Sequence, residues 1–345
     1  MNINQEQIKH LLTGAAFFST GGGGSLTEGL KVIQGIEEIT LLNVDLAHPD
    51  KFCATAYLVG GVSPPSLEIV SKYKKIVYNN PVDIVVKSFN YLQKIIDKKI
   101  DYVVPIELGG FNTAVSLYLA AKTGVPLIDA DLTGRSAPEM LQTSYYLGDI
   151  DPSPAAVITI FDDKFLIENV SDYVRMDEIF RSIVALSANY DIGVSNFPIP
   201  LKKARPYLLE NTLSHCIEIG ALLAENKVMD AIKCAKGKVI FTGILKEEIF
   251  EEKNGFTIGK AILENNDQQL VVEYKNENLV SYSKDKQIIA SVPDLIGVIT
   301  INGKPVMNTD YPKHQPLIVY SIPSPQIWKS AKGQAIFGLK HFGYN

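Results

Sequence analysis

The sequence predicts an α/β protein with a three-layer α/β/α domain around a largely parallel sheet and a C-terminal all-β, barrel-like domain. Up to residue 236, strand-like apolar runs alternate with segments of helical periodicity, the pattern of a parallel sheet covered by helices. From residue 237 the apolar runs are short and broken by Gly, Asn, Asp and Lys, which indicates a small barrel or sandwich. We therefore divide the chain into residues 1–236, residues 237–330 and a tail at 331–345 that packs back on the body.

The elements of the first domain follow from periodicity and from helix start and stop residues. Two helices flank a glycine run, and Gly124 is expected to end a later helix. The predicted helices are 5–18, 26–34, 66–73, 82–98, 112–122 and 211–225, with another beginning near Pro138. The predicted strands are 54–59, 75–78, 101–108 and 125–130, with a hairpin of 156–160 and 165–170. The predicted strands of the second domain are 239–245, 256–263, 270–274, 288–292, 296–301 and 317–322.

Composition limits the classes of protein that the chain can belong to. It has 345 residues, of which 46% are hydrophobic, so a sizeable core is expected. The net charge of −5 argues against nucleic-acid or anionic-membrane partners, which favour basic surfaces. The amino terminus lacks the pattern of a secretory signal, and no apolar stretch approaches a membrane span. Three widely separated cysteines indicate a reducing compartment, so we expect a cytoplasmic protein. The partner that we expect for it is a small-molecule substrate.

The first candidate binding feature is a run of four glycines that precedes a helix. Bare backbone N–H groups beside a helix amino terminus form a cradle for an anion or a developing oxyanion. A flexible turn is the alternative, although a turn needs fewer glycines. Neither a Walker loop nor a dinucleotide fingerprint fits the flanking residues. The candidate binding residues are Gly21, Gly22, Gly23, Gly24 and Ser25.

The second candidate feature follows the predicted strand at 101–108. Glu107 lies at its carboxyl end, where ligands bind in open α/β sheets, and Gly109 and Gly110 permit close approach of a ligand. Asn112 is placed to cap the next helix or to bind substrate. A purely local role, in which Glu107 accepts helix N–H groups, is equally consistent with the sequence.

The third candidate feature carries two carboxylates, Asp129 and Asp131, at a strand end. Their spacing places them on one side of a strand, where they can hold a divalent ion or act as base on a water molecule. Arg135 offers a planar fork for a substrate carboxylate, with a salt bridge to Asp131 as the alternative. Glu139 is a further candidate for substrate binding, although with Ser136 it also fits a capping box. The five histidines show no spacing typical of a zinc site.

These motifs, in this order, resemble the S-methyl thiohydantoin desulfurase family, whose uncharacterised members are associated with hydantoinases and oxoprolinases. The resemblance rests on Thr-Gly-Gly-Gly-Gly-Ser at 20–25, Glu-Leu-Gly-Gly-Phe-Asn at 107–112, Asp-Ala-Asp-x-x-Gly-Arg-x-x-Pro-Glu at 129–139 and Pro-Asp-Leu-Ile at 293–296. It implies an α/β/α domain with a β-barrel. It also implies hydrolysis of a five-membered S-methyl thiohydantoin to a hydantoin, with release of methanethiol.

The sequence-based hypothesis for mechanism uses all three features. Asp129, Asp131 or Glu107, with or without a divalent metal ion, activates water for attack on the ring carbon bearing sulfur, and glycine N–H groups bind the developing charge. Two alternatives stay open, a non-catalytic binding subunit of a hydantoinase- or oxoprolinase-type system and an ATP-dependent ring-opening amidohydrolase. The sequence leaves the metal and homo-oligomerisation undecided.

Overall fold

The structure is a computed structural model that describes residues 1–60, 71, 76–77, 80–253 and 255–344. The helix predicted at 66–73 and the strand predicted at 75–78 fall largely outside the described residues. The helices are α1 (Gln5–Phe18), α2 (Leu26–Val32), α3 (Asp83–Ile96), α4 (Asn112–Thr123), α5 (Ser144–Leu147), α6 (Tyr173–Leu186), α7 (Leu201–Ala204), α8 (Thr212–Ala224), α9 (Val228–Cys234) and α10 (Ala331–Phe337).

The strands form three sheets among the described residues. The strands of the α/β part are β1 (Asn2–Asn4), β2 (Glu38–Leu42), β3 (Phe52–Val59), β4 (Tyr102–Val103), β5 (Leu127–Ile128), β6 (Ala130–Asp131), β7 (Ala155–Ile158), β8 (Lys164–Ile167), β9 (Ile192–Pro200) and β10 (Leu209–Glu210). The remaining strands are β11 (Lys238–Lys253), β12 (Phe256–Asn265), β13 (Gln268–Lys275), β14 (Glu277–Ser283), β15 (Ile288–Ser291), β16 (Leu295–Thr300) and β17 (Pro316–Ile322).

The first sheet is mixed, with a parallel centre. Its strand order is β1-β2-β5-β4-β3-β9-β7-β8, and only the pairs within β2, β5, β4 and β3 are parallel. The antiparallel strand β9 pairs along nearly the whole of β3. Sequence analysis missed β9 because its Gly, Ser, Asn and Pro residues interrupt the apolar run typical of a buried strand.

Helices cover both faces of this sheet, which confirms the three-layer α/β/α prediction. Alternate residues of β3 point to opposite faces, so Ala54, Ala56 and Leu58 join one core while Cys53 and Tyr57 join the other. Helices α1, α3, α4 and α8 contribute to the first core. Helix α6 and the C-terminal α10 contribute to the second.

The second large sheet curls into an antiparallel half-barrel in the order β15-β14-β13-β12-β11-β17-β16. The Asn278 side chain of β14 donates to the carbonyl of Ile296 in β16 at 2.9 Å, which ties the two ends of the curl together. Its interior is a separate apolar core that includes Leu263, Leu270 and Val319. Strand β14 was not predicted, because polar residues precede its short apolar centre.

Several predicted elements of the α/β part are shorter in the structure. The predicted strand 101–108 is reduced to β4, and the residues that follow it lead into the loops described below. The predicted strand 125–130 is split, and its last part pairs with β10 instead of continuing the main sheet. In place of the helix expected near Pro138 there is a 3₁₀ turn at Met140–Gln142, followed by α5.

Candidate active site

A cleft of about 620 Å³ lies between the carboxyl ends of β3 and β4 and the half-barrel. Residues after these strands, including Gly60 and Glu107, line one side. The half-barrel contributes Glu277 and Asn308 to the other side. This is the edge of a parallel sheet at which ligands bind in open α/β folds, and the sequence-based interpretation placed a site there.

The tetraglycine loop lies in the cleft, wedged between the two parts of the protein. A Cβ on Gly22 would collide with Oε1 of Glu277, and one on Gly23 would lie 2.6 Å from Cα of Gly109. Gly23 also has φ +67°, a conformation that favours glycine. The glycines therefore permit close approach of backbone and carboxylate, a role that a flexible turn would not have.

Among the described residues, the backbone N–H groups of Gly24 and Ser25 are available to bind a ligand. Gly22 donates to Ser19, and the carbonyl of Gly23 accepts from Phe111 at 3.0 Å. Within the described part of the chain, the N–H groups of Gly24 and Ser25 donate to no acceptor. Both residues line the cleft at the start of α2, where the helix amino terminus favours an oxygen with negative charge.

Glu107 is a partly buried carboxylate that accepts three hydrogen bonds. Its donors are Nδ2 of Asn112 at 2.6 Å, Oγ of Ser136 at 3.0 Å and the backbone N–H of Ala137 at 3.0 Å. Burial raises the pKa of Glu107, and the hydrogen bonds oppose this shift. Asn112 thus orients Glu107 instead of capping α4, whose amino-terminal cap is Phe111.

Glu277 is a second carboxyl group in the cleft, contributed by the first residue of β14, and it is buried. Burial raises its pKa to about 8, and the nearby Glu107 carboxylate adds to the shift. Its Oε1 lies 2.8 Å from Oγ of Ser136, while its Oε2 has no hydrogen-bond partner among the described residues. The group is therefore suited to hold a proton near neutral pH and to give it up to a ligand.

Ser136 connects the two carboxyl groups. Its hydroxyl is within hydrogen-bonding distance of both Glu107 and Glu277, yet a hydroxyl group has one proton to donate. Both contacts are hydrogen bonds only when one carboxyl group is protonated. Because Glu107 accepts two further hydrogen bonds, it is the better site for the negative charge, and Glu277 holds the proton.

Asp129 and Asp131 do not line this cleft. Oδ1 of Asp129 accepts the backbone N–H of Ser214 at 2.9 Å, in the first turn of α8. Oδ2 of Asp131 accepts the N–H groups of Thr133 and Gly134 at 2.8 and 2.7 Å. Burial raises the pKa of Asp131 to about 7, but its carboxyl group is enclosed and fully buried. The structure therefore holds this acidic pair outside the cleft that Glu107 and the glycine loop line.

Arg135 is not placed to bind a substrate carboxylate. It is completely buried and does not line the cleft. It forms no salt bridge with Asp131. Its guanidinium group instead donates hydrogen bonds to backbone carbonyls and to a hydroxyl group, and it lies over the Phe337 ring. The acceptors are the carbonyls of Ser136, Pro293, Asp294 and Asn278 and Oγ1 of Thr20. Burial lowers the pKa of Arg135 to about 10, which leaves it charged at neutral pH.

Glu139 lines the cleft but is held by basic neighbours. Lys275 and His341 both bind its carboxylate, and it also forms a capping box with Gln142 instead of with Ser136. Burial opposes ionisation, yet these hydrogen bonds and charges lower the pKa of Glu139 to about 2. Gly109 and Gly110 pack against the glycine loop beneath the cleft and do not line it.

Sequence reasoning missed Glu277 and Tyr57. Glu277 is flanked by asparagines between two β segments, where a turn residue is the ordinary interpretation. Tyr57 lies within β3, where an aromatic residue is ordinarily interpreted as part of the core. It lines the cleft, and its hydroxyl group has no hydrogen-bond partner among the described residues. No local pattern marks either residue, because only the packing of the half-barrel on the α/β sheet brings Glu277 to Glu107.

Fold and site together define an α/β protein with an antiparallel half-barrel and two carboxyl groups joined by a serine hydroxyl in the cleft between them. A family model described as "S-Me-THD-like, N-terminal domain" matches residues 6–169, and one described as "S-Me-THD-like, C-terminal domain" matches residues 171–345. The chain therefore belongs to the S-Me-THD-like family, which confirms the resemblance to the S-methyl thiohydantoin desulfurase family.

The fold is also found in a solved structure. The chain is similar to a protein from Chromobacterium violaceum, with a TM-score of 0.82 and 20% sequence identity over 100% of this chain and 98% of that one. At this identity the likeness establishes the fold alone. A search of the curated proteins finds no match. Among the described residues, no helix has both the length and the apolar character needed to cross a membrane.

Proposed function

We propose that the protein hydrolyses a small S-methyl thiohydantoin-like ring, with release of a thiol, in the cleft between the α/β sheet and the half-barrel. Family membership supports this substrate class. The observation that carries the proposal is the arrangement of Glu107 and Glu277 on either side of the Ser136 hydroxyl. One ionised and one neutral carboxyl group that share the Ser136 hydroxyl provide a base and an acid at the same pH.

The charge of the cleft supports an uncharged ring as the substrate. Its lining carboxyl groups belong to Glu28, Glu107, Glu139, Asp177, Asp191, Glu277 and Asp310, whereas Arg181 is the basic residue among the described lining. Arg181 is already bound to Asp177 and to the carbonyl of Gly255. A phosphate or nucleotide would meet net repulsion here, which argues against the ATP-dependent alternative. The volume of about 620 Å³ suits a substituted five-membered ring.

The proposed reaction begins with a water molecule that attacks the ring carbon bearing the methylthio group. Glu107 accepts a proton from this water as the new C–O bond forms. Glu277 donates a proton to the ring nitrogen that is doubly bonded to the same carbon. The C–S bond of the tetrahedral intermediate then breaks, and the departing sulfur takes up the proton held by Glu107. The hydroxyl group of the intermediate passes its own proton to Glu107 as the C=O bond forms. The products are a ring carbonyl with its N–H group and a free thiol.

The remaining residues of the cleft position the ring and restore the carboxyl groups. Ser136 relays a proton between Glu107 and Glu277, so that the pair returns to its starting state. The free N–H groups of Gly24 and Ser25 are placed to bind a carbonyl oxygen of the ring. We also infer a reducing compartment such as the cytoplasm, since Cys53, Cys216 and Cys234 are free.

Replacement of Glu277 by Gln tests the proposal. The amide keeps the shape of the side chain but cannot donate an acidic proton, so turnover should fall by about 10²- to 10⁴-fold. The measurement is thiol release from an S-methyl thiohydantoin by purified protein, with circular dichroism to verify folding. Glu264→Gln is the matched control, because Glu264 lies on the outer part of β12 away from the cleft.

The same assay distinguishes an enzyme from a binding subunit. Thiol release by the wild-type protein alone is expected for an enzyme. If the folded wild-type protein binds the ring without releasing thiol, the chain is a binding subunit. If Glu277→Gln releases thiol at the wild-type rate, the acid–base assignment is wrong.

A further inference from the structure

A second cavity of about 720 Å³ lies beside α8 and α9. It shares no lining residue with the cleft. Its described lining comes from the start of α8, the end of α9 and the residues after β17. Three of the lining side chains are of different metal-binding types: the imidazole of His215, the carboxylate of Glu218 and the thiol of Cys234. None of them takes part in the reaction proposed above.

These three side chains converge. One nitrogen of His215, one oxygen of Glu218 and the sulfur of Cys234 all lie within 4.8 Å of one another. His215 and Glu218 are three residues apart on α8, so they share one face of the helix, and Nδ1 of His215 is 3.2 Å from Oε2 of Glu218. Cys234, the last residue of α9, faces them. Within the described part of the chain, this is the place where three such ligand types come this close together.

We propose that His215, Glu218 and Cys234 bind one divalent ion of the zinc class. Thiolate and imidazole ligands together favour Zn²⁺, and a carboxylate completes a common three-ligand set. The Glu218 side chain is 62% exposed, so it is free to rotate and close the ligand distances to those of a tetrahedral site.

The fourth position of such a site faces the cavity. Three protein ligands with one open position are typical of zinc sites that bind water or a small ligand, whereas structural zinc sites have four protein ligands. Ser214, Glu210 and Lys236 also line the cavity and provide polar groups for such a ligand. The site is thus expected to take up metal without being needed for the fold.

The experiment measures zinc uptake by protein that carries no histidine tag and has been stripped with a chelator. Wild-type protein is expected to bind one Zn²⁺ per chain in titration calorimetry and elemental analysis. Cys234→Ser and His215→Ala are expected to weaken binding by about 100-fold or more, because substitutions even beyond the direct ligands cost 10- to 100-fold. Co²⁺ is expected to give a thiolate charge-transfer band in the wild type that is absent from Cys234→Ser.

Two further variants keep the result interpretable. Cys216→Ala is the matched control, because Cys216 is a fully buried cysteine of α8, the helix of His215 and Glu218, and is outside the ligand set, so the Co²⁺ band of this variant should remain. Glu218→Gln changes an exposed side chain, so it tests the site even if Cys234→Ser is unstable. Failure of the stripped wild type to bind zinc would overturn the proposal. Zinc binding by both Cys234→Ser and Glu218→Gln with the affinity of the wild type would also overturn it. Neither outcome depends on whether the protein releases thiol.

Discussion

At the residue scale, the Ser136 hydroxyl determines how charge is divided in the cleft. A serine between two carboxyl groups can donate to one of them only, so the other must supply its own proton. Glu277 has no other hydrogen-bond donor at its Oε2 among the described residues, and its burial makes ionisation costly. The neutral state of Glu277 therefore results from the packing around its carboxyl group. No motif in the sequence singles out this residue.

This protonation predicts a specific dependence of stability on pH. The pKa of Glu277 is raised from its ordinary value of 4.5 to about 8, so between these pH values the native state keeps a proton that the unfolded chain loses. The free energy of unfolding should therefore fall as the pH rises through this window and level off above it. Urea unfolding of wild type and Glu277→Gln at a series of pH values measures the difference, since the variant lacks this titration.

The activity should follow the same group. Because the reaction needs neutral Glu277, kcat/KM, which reports the ligand-free protein, is expected to decline as the pH rises through about 8. Parallel stability curves for wild type and Glu277→Gln, together with a kcat/KM that rises above this pH, would contradict the assignment of the proton to Glu277.

At the scale of elements, the amino terminus of α8 is stabilised from outside the helix. The residue at its cap, Asn211, has φ +65° and provides no side-chain hydrogen bond to the first turn. Asp129 supplies the missing acceptor, since its carboxylate binds the N–H of Ser214 and its carbonyl accepts from Asn211 at 2.7 Å. The acidic residue at the strand end thus fixes where α8 begins.

Replacement of Asp129 by Ala should therefore lower stability more than activity. Loss of a capping acceptor costs about 1 kcal/mol, while turnover per folded molecule should stay close to that of the wild type. Chemical denaturation and the thiol-release assay measure the two effects, and Asp129→Asn, which keeps one oxygen acceptor, should be less destabilised. A folded Asp129→Ala protein of unchanged stability that has lost turnover would restore Asp129 to the mechanism.

At the scale of the whole molecule, Arg135 joins the α/β part to the half-barrel. Its donors bind Thr20 next to the glycine loop, Asn278 in β14 and the carbonyls of Pro293 and Asp294 before β16. The C-terminal α10 adds Phe337 over the guanidinium plane, and Trp328 donates to the carbonyl of Thr133 at 2.9 Å. Arg135 therefore holds the segments that form both walls of the cleft.

Replacement of Arg135 by Lys should destabilise the protein severely. Lysine keeps the charge but cannot reproduce the planar fork, so several buried carbonyls lose their donor, and a loss of about 3 kcal/mol or more is expected. Urea unfolding measures this loss, and Arg205→Lys, at an exposed arginine, is the control that should leave stability nearly unchanged. Unchanged stability with a raised KM alone would instead support a substrate-binding role for Arg135.

Apolar periodicity and the residues that start and stop helices were sufficient to predict much of the fold. Helix 5–18 and the helix ending at Gly124 appear with nearly the predicted bounds, because apolar spacing and capping residues act locally. The hairpin of β7 and β8 is likewise confirmed. Strand β9 escaped prediction, since its burial between β3 and β7 depends on pairing across the sheet and not on its own composition.

The sequence by itself determined the family motifs, the α/β-then-β order and the presence of the glycine loop and of Glu107 in the segment that follows a strand of the parallel sheet. Only the tertiary structure decided that Glu277 faces Glu107, that Asp129 caps a helix and that Arg135 is enclosed. The physical reason is that a carboxyl or guanidinium group takes its protonation and its role from the partners around it. Those partners come from segments far away in the chain.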